Sequence, residues 1–177
     1  LGIDRVERRA FQHAGSTERF AYAHRGPKWA TFYSEPARTA QERFFDRYLK
    51  HHDVPKPPPL RLEVRESRRK VVAVRDESEW PLARTDWTSL YLGLGGRLCL
   101  SPGAAGSIGF RLRGAAAAFT WTIEEDVELT GPMALKVWVS LEGTTDAHLF
   151  VGIEKRRGAR VVGFEGSYGY GRDRVAT

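Results

Sequence analysis

From Asp126 to Val151 the chain reads DVELTGPMALKVWVSLEGTTDAHLFV, with alternating apolar runs around a Gly-Pro corner and an acidic turn. Leu135, Val137 and Val139 share one face of an extended chain, and Lys136, Trp138 and Ser140 share the other. This period of two predicts a half-buried strand. Leu149, Val151 and Ile153 repeat the arrangement. The same reading predicts strands at Leu60 to Arg65, Val71 to Arg75, Trp87 to Leu92, Ile108 to Leu112, Ala117 to Ile123, Met133 to Ser140, Leu149 to Lys155 and Arg160 to Glu165. Short strands separated by turn-rich segments predict a mostly β chain, a sandwich or barrel. Gly93-Leu-Gly-Gly96 and Pro102-Gly103-Ala-Ala-Gly106 suit hairpins, since no helical pattern follows either to make a phosphate cradle.

The pattern differs before residue 53. Ile3, Val6, Ala10 and Phe11 form a helical stripe that Gly15 stops. Phe20 to Ala23 reads as a buried strand ending at His24, and Arg25-Gly26-Pro27-Lys28-Trp29 reads as a loop. Ser34 is a candidate N-cap and Pro36 suits the first turn of a helix carrying Ala37, Ala40, Phe44, Phe45 and Tyr48. Asp53-Val-Pro-Lys-Pro-Pro-Pro59 is the clearest boundary, because consecutive prolines fix φ, remove amide donors and favour an extended spacer. The predicted organisation is therefore a segment 1–52, a linker 53–59 and a β region 60–177. One strand between two helices leaves both sheet edges uncovered, which predicts further strands upstream. With Leu1 first and Met133 the sole methionine, the chain reads as a fragment. Trp80 beside Pro81, and Trp87, are expected to be buried, each contributing about 2–3 kcal/mol.

Composition narrows the function classes. The formal charge is +6, yet arginines are interleaved with acids, as in Arg61-Leu-Glu63-Val-Arg65-Glu66, so no single basic face forms. The densest runs, Arg68-Arg69-Lys70 and Lys155-Arg156-Arg157, read as solvated turns. Without a recognition helix or stacking aromatics, nucleic acid is not expected as a partner. No spanning apolar run or signal peptide is visible, so no membrane role and a cytoplasmic location are expected. Cys99 is the only cysteine, which rules out an internal disulfide, and it reads as an ordinary strand residue. His13 suits a helix C-terminus. His51 and His52 point apart and lack a third ligand, so neither a metal nor a cofactor is expected. Ala105-Gly-Ser107-Ile-Gly109 matches a nucleophile elbow in spelling, but a strand pattern follows where a helix is required. Gly166-Ser-Tyr-Gly-Tyr-Gly171 likewise lacks the helix that a nucleotide loop needs.

These motifs together resemble the C-terminal region of the cocaine-esterase and Xaa-Pro dipeptidyl-peptidase (CocE/NonD) family of α/β-hydrolase serine hydrolases. The likeness rests on the Asp126 to Val151 stretch, the Tyr22-Ala-His24-Arg-Gly-Pro-Lys28-Trp29 run, Phe32-Tyr33-Ser34, Glu42-Arg-Phe44-Phe45-Asp46-Arg-Tyr48-Leu49, Arg61 to Glu66, Glu79 to Thr85 and Thr88 to Leu92. It implies a jelly-roll-like β-sandwich preceded by the closing helix-strand-helix of an α/β-hydrolase core. It also implies cleavage of an ester, amide or Xaa-Pro dipeptide by a Ser-His-Asp triad, with His24 as general base. The Ser nucleophile and the Asp are then absent from this chain and lie upstream, leaving the chain alone inert. His148 departs from the acid or asparagine expected two residues after Asp146, and Asp146 reads as structural. Implied partners are a small ester, amide or peptide substrate and the upstream hydrolase domain, while Phe44, Phe45 and open strand edges favour homo-oligomers. The alternative is a jelly-roll module that binds carbohydrate without catalysis.

Overall fold

The computed structural model describes residues 10–24, 26, 28–110 and 116–163. Among them are seven strands and two named helices: β1 (Ala21–Tyr22), α1 (Lys28–Phe32), α2 (Glu35–Tyr48), β2 (Leu60–Ser67), β3 (Lys70–Glu77), β4 (Tyr91–Gly93), β5 (Arg97–Cys99), β6 (Lys155–Arg157) and β7 (Arg160–Val162). The chain is thus mostly β with few helices. It divides into two compact units, one from Leu1–Ala83 with Thr130–Thr177, the other Arg84–Leu129.

The first unit is built on a three-stranded sheet of order β1-β2-β3. Alternation in Leu60-Arg-Leu-Glu-Val-Arg65 places Leu60 and Leu62 on one face, and both are fully buried. They pack with Ala23, Trp80 and Leu82, with Phe11 and Ala21 against the cluster. Burying each leucine contributes about 2–3 kcal/mol. Strand β3 runs antiparallel to β2, with register irregularities between Val64 and Ser67, and Arg68 and Arg69 make the exposed turn anticipated for the basic run. Short β1 pairs with β2 in parallel, Ala21 opposite Leu60 and Tyr22 opposite Arg61. The strand before the proline-rich run and the strand after it therefore share one ladder, with Ala21 N donating to Pro59 O and Ala23 N to Arg61 O, both at 2.8 Å.

Helix α2 begins where Ser34 and Pro36 place it, with Ser34 extended at the N-cap and proline in the first turn. The Ser34 hydroxyl does not cap α2, however. It donates to Thr31 O at 2.7 Å, because a preceding helix offers it a carbonyl. That helix, α1, corrects the expectation of an irregular loop through Lys28 and Trp29, which are its first two residues. Gln41 Nε2 joins the two helices by donating to Phe32 O at 3.0 Å. Phe20 meets Phe44 edge-on at 6.0 Å and Tyr48 at 5.9 Å, which seats one side of α2, while Phe45 stays exposed.

The antiparallel pair β6-β7 belongs to the first unit. Lys155 Nζ donates to Glu66 O at 2.9 Å and Arg157 Nη2 to Glu66 Oε1 at 3.1 Å, while Arg68 N donates to Gly163 O at 2.7 Å. Lys155 to Arg157 is accordingly a strand and not the solvated turn expected from its charge. In the second unit β4 and β5 form the anticipated Gly-rich hairpin, with Gly95 and Gly96 at φ of 85° and 74° and Cys99 in β5. A single bridge joins Arg97 to Thr120.

Several predicted strands do not form. Residues 133–140 and 149–152 carry no assigned strand, 117–123 show the Thr120 bridge alone, and 108–110 are irregular. Trp138 is 89% exposed and Phe150 95%. Alternation supplies a face for burial, but a strand exists only where a neighbour completes its hydrogen-bond ladder, and no ladder partner for 133–150 occurs among the described residues. Trp80 is buried at 7% exposure as anticipated, with a cis bond to Pro81. Trp87 is not, at 64%. The helix expected over the first dozen residues is described from residue 10, where 10–13 are helical, and Gly166 to Gly171 lies outside the described residues.

Candidate functional site

His24 lies two residues beyond the end of β1, after Ala23. The Ala23 amide is held by Arg61 O at 2.8 Å, so the backbone is anchored up to the residue before the imidazole. Its ring lies 6.4 Å from that of Tyr22, tilted by 58°. His24 Nδ1 is buried and has no hydrogen-bond partner among the described residues. A buried ring nitrogen without a partner forfeits about 1–3 kcal/mol, so this atom calls for an acceptor or donor. In a nucleophile-base-acid arrangement an acid carboxylate accepts the Nδ1 proton and leaves Nε2 free to take one from the nucleophile.

A row of charge adjoins this histidine on the face of β2 opposite Leu60 and Leu62. Arg61 lies with its guanidinium carbon 4.3 Å from the Tyr22 ring centroid. Its Nη1 donates to Glu63 Oε1 at 3.2 Å and to Ala23 O at 3.4 Å. Arg65 holds the other carboxylate oxygen twice, through Nη2 at 2.6 Å and Nε at 2.9 Å. Partial burial pushes the Glu63 carboxyl up, but the hydrogen bonds and charge of Arg65, then of Arg61, outweigh it and hold the group below its ordinary value. Glu63 is thus an anion fixed between two cations. In the sequence alone Arg61 to Glu66 reads as interleaved charge that concentrates on no single basic face. The signal that could have found the row was its period of two, which sets Arg61, Glu63 and Arg65 on one face.

The other candidates do not converge on His24. His13, His51, His52 and His148 are exposed at separate points of the chain, and His51 adopts φ 56° just beyond α2. Asp146 closes a local turn in which its amide donates to Thr144 Oγ1 at 3.4 Å and its carbonyl accepts from that hydroxyl at 3.1 Å. Ser107 is exposed, and the described residues directly after it, 108–110, are not helical. No group of three or more His, Cys, Asp or Glu suited to a metal occurs among the described residues. A cavity of about 420 Å³ lined by Arg19, Phe20, Lys56, Glu79 and Trp80, among others, does not include His24. Its cations are engaged: Arg19 donates to Phe11 O and Gln12 O at 2.8 Å each, and Lys56 pairs with Glu18 at 2.7 Å.

No protein-family model and no curated protein matches the chain. Two crystal structures of a CocE/NonD family hydrolase from Staphylococcus aureus do, each with a TM-score of 0.52 and 29% identity over 55% of this chain. Over that span the chain resembles CocE/NonD family hydrolases. The likeness takes in 18% of the length of those solved chains, so this chain corresponds to a minor part of them. The solved chains that it resembles are hydrolases, so the resemblance supports a hydrolase family and an enzyme. No helix among the described residues is long and apolar enough to cross a membrane.

Proposed function

We propose that this chain is the C-terminal part of a serine hydrolase cleaving an ester or amide, of acyl-ester or Xaa-Pro dipeptidyl-peptidase type, in which His24 is the general base. The observation that carries the reading is His24 Nδ1, buried without a partner at the end of a sheet strand. In this reading residues 1–52 close an α/β-hydrolase core, 53–59 are the linker and 60–177 belong to a jelly-roll-like sandwich, with the serine and the aspartate in preceding sequence. The serine Oγ attacks the carbonyl carbon while its proton passes to His24 Nε2. His24 then returns the proton to the departing alcohol or amine, and water, deprotonated by the same imidazole, hydrolyses the acyl-enzyme. The preceding aspartate would accept the Nδ1 proton and steady the imidazolium.

The test uses a fluorophosphonate probe, which labels an activated serine by forming an O–P bond and expelling fluoride as the serine proton passes to the histidine. The full-length gene product is expected to label and the 177-residue chain to remain unlabelled. His24→Ala in the full-length protein is expected to lower turnover by about 10³–10⁶-fold. Near-normal turnover removes His24 from the role of base, and labelling of the isolated chain refutes the upstream nucleophile.

A further inference from the structure

We propose that Arg61 is a positioning residue for His24, holding the end of β1 so that the imidazole faces its nucleophile. The inference rests on the reading of His24 as general base and adds to it a residue that 37 positions separate from the histidine in sequence. Register brings it there: parallel pairing sets Arg61 opposite Tyr22, two residues before His24. Arg61 then grips β1 three ways. Its carbonyl accepts from Ala23 N at 2.8 Å, its Nη1 donates to Ala23 O at 3.4 Å, and its guanidinium covers the Tyr22 ring, which in turn neighbours the imidazole. Ala23, the residue preceding His24, is thereby bracketed by one residue through both backbone and side chain.

The guanidinium is itself immobilised. Glu63 accepts from it at 3.2 Å, and Arg65 pins Glu63 from the far side at 2.6 Å, with the side chains of Arg61, Glu63 and Arg65 exposing no more than 20% of their surface. A side chain doing no more than solvating the surface has no need of this second buttress. The planar fork suits three simultaneous tasks, stacking on Tyr22, donating to Glu63 and donating to Ala23 O, which an ammonium on a flexible stem cannot perform together. The charged groups facing this corner are Arg61, Glu63 and Arg65 of β2, together with Asp76 of β3, the register partner of Arg61.

The experiment measures the rate of fluorophosphonate labelling in the full-length gene product, a readout that needs the histidine but no knowledge of the natural substrate. Arg61→Ala is expected to lower the rate about 10- to 100-fold, the range for a catalytic group displaced by about 1 Å. In a His24→Ala background the same substitution is expected to cause no further fall, because Arg61 acts through the imidazole. Equal fold-losses in both backgrounds would assign Arg61 a merely structural role and overturn the proposal. Arg61→Lys keeps the charge while losing the fork, and an intermediate rate is expected. A wild-type rate in Arg61→Lys overturns the fork as the device, even where Arg61→Ala does not fold. Failure of the underlying reading is separately visible: His24→Ala then labels at the wild-type rate, whereas failure of the present inference alone leaves His24→Ala slowed while the Arg61 variants either label normally or lose equally in both backgrounds.

Discussion

Glu63 is the residue whose electrostatics can be tested most directly. Its side chain is 13% exposed and carries Arg61 at 3.2 Å and Arg65 at 2.6 Å on its two oxygens. Glu63→Gln keeps the shape and removes the charge, so two guanidinium groups remain with a weaker acceptor. The expected cost is about 1–3 kcal/mol by urea denaturation at neutral pH. Because the folded carboxyl lies below its ordinary value, the charged pair contributes fully above the unfolded carboxylate pKa and loses its contribution as pH falls through the folded one. The difference between wild type and Glu63→Gln should therefore hold steady from neutral pH to the ordinary carboxylate range and shrink at more acid pH. A difference that grows on acidification would show the carboxyl raised, not lowered. At this scale the sequence offers His24 as a candidate through its neighbours in the Tyr22 to Trp29 run, and the structure adds its buried Nδ1. Arg61 was not, since its relation to His24 arises from a parallel register that no local pattern encodes.

Strand β2 is the element that organises the first unit, bonded on one edge to β1 and on the other to β3. Its apolar face is the centre of the core, with Leu62 at 1% exposure. Leu62→Ala is expected to destabilise by about 2–5 kcal/mol, since a buried methyl cluster is lost and the surrounding Trp80 and Leu82 can close the void only in part. Equilibrium urea unfolding checks it, with a lower midpoint at an unchanged slope; a shift below 1 kcal/mol would place Leu62 outside the core. Both β2 and β3 could be read from alternation because they are sequence neighbours that pair with each other across the short Arg68-Arg69 turn. The same alternation at Leu135 to Val139 predicted a strand equally well and none formed, since no ladder partner for it occurs among the described residues. Helix α1 was hidden for the opposite reason: five residues are too few for a period to show, and the Gly26-Pro27 pair suggested continued loop. Trp87 was expected inside on the strength of its size, but in the second unit little of the described chain packs over it.

At the scale of the whole chain, regular pairing and apolar character are distributed differently, and amide hydrogen exchange separates the two. The β2-β3 ladder combines paired amides with a buried leucine face, whereas residues 133–150 carry Leu135, Val137, Trp138, Val139 and Phe150 exposed and no ladder. Opening free energy follows paired amides and buried contacts, not hydropathy. In the 177-residue chain, peptides from 60–77 should retain deuterium-exchange protection long after those from 133–150 have exchanged fully, although the latter stretch is the more apolar of the two by inspection. Peptides from 91–99 should fall between them, since β4-β5 is a three-residue pair with one further bridge to Thr120. Protection of 133–150 equal to that of 60–77 would mean that alternation alone had recruited a ladder. In that case the sandwich reading of residues 60–177 would gain direct support from solution. The expected order instead leaves the apolar strand pattern of 133–151 as a face awaiting neighbours, while the backbone that carries His24 is already locked by β2.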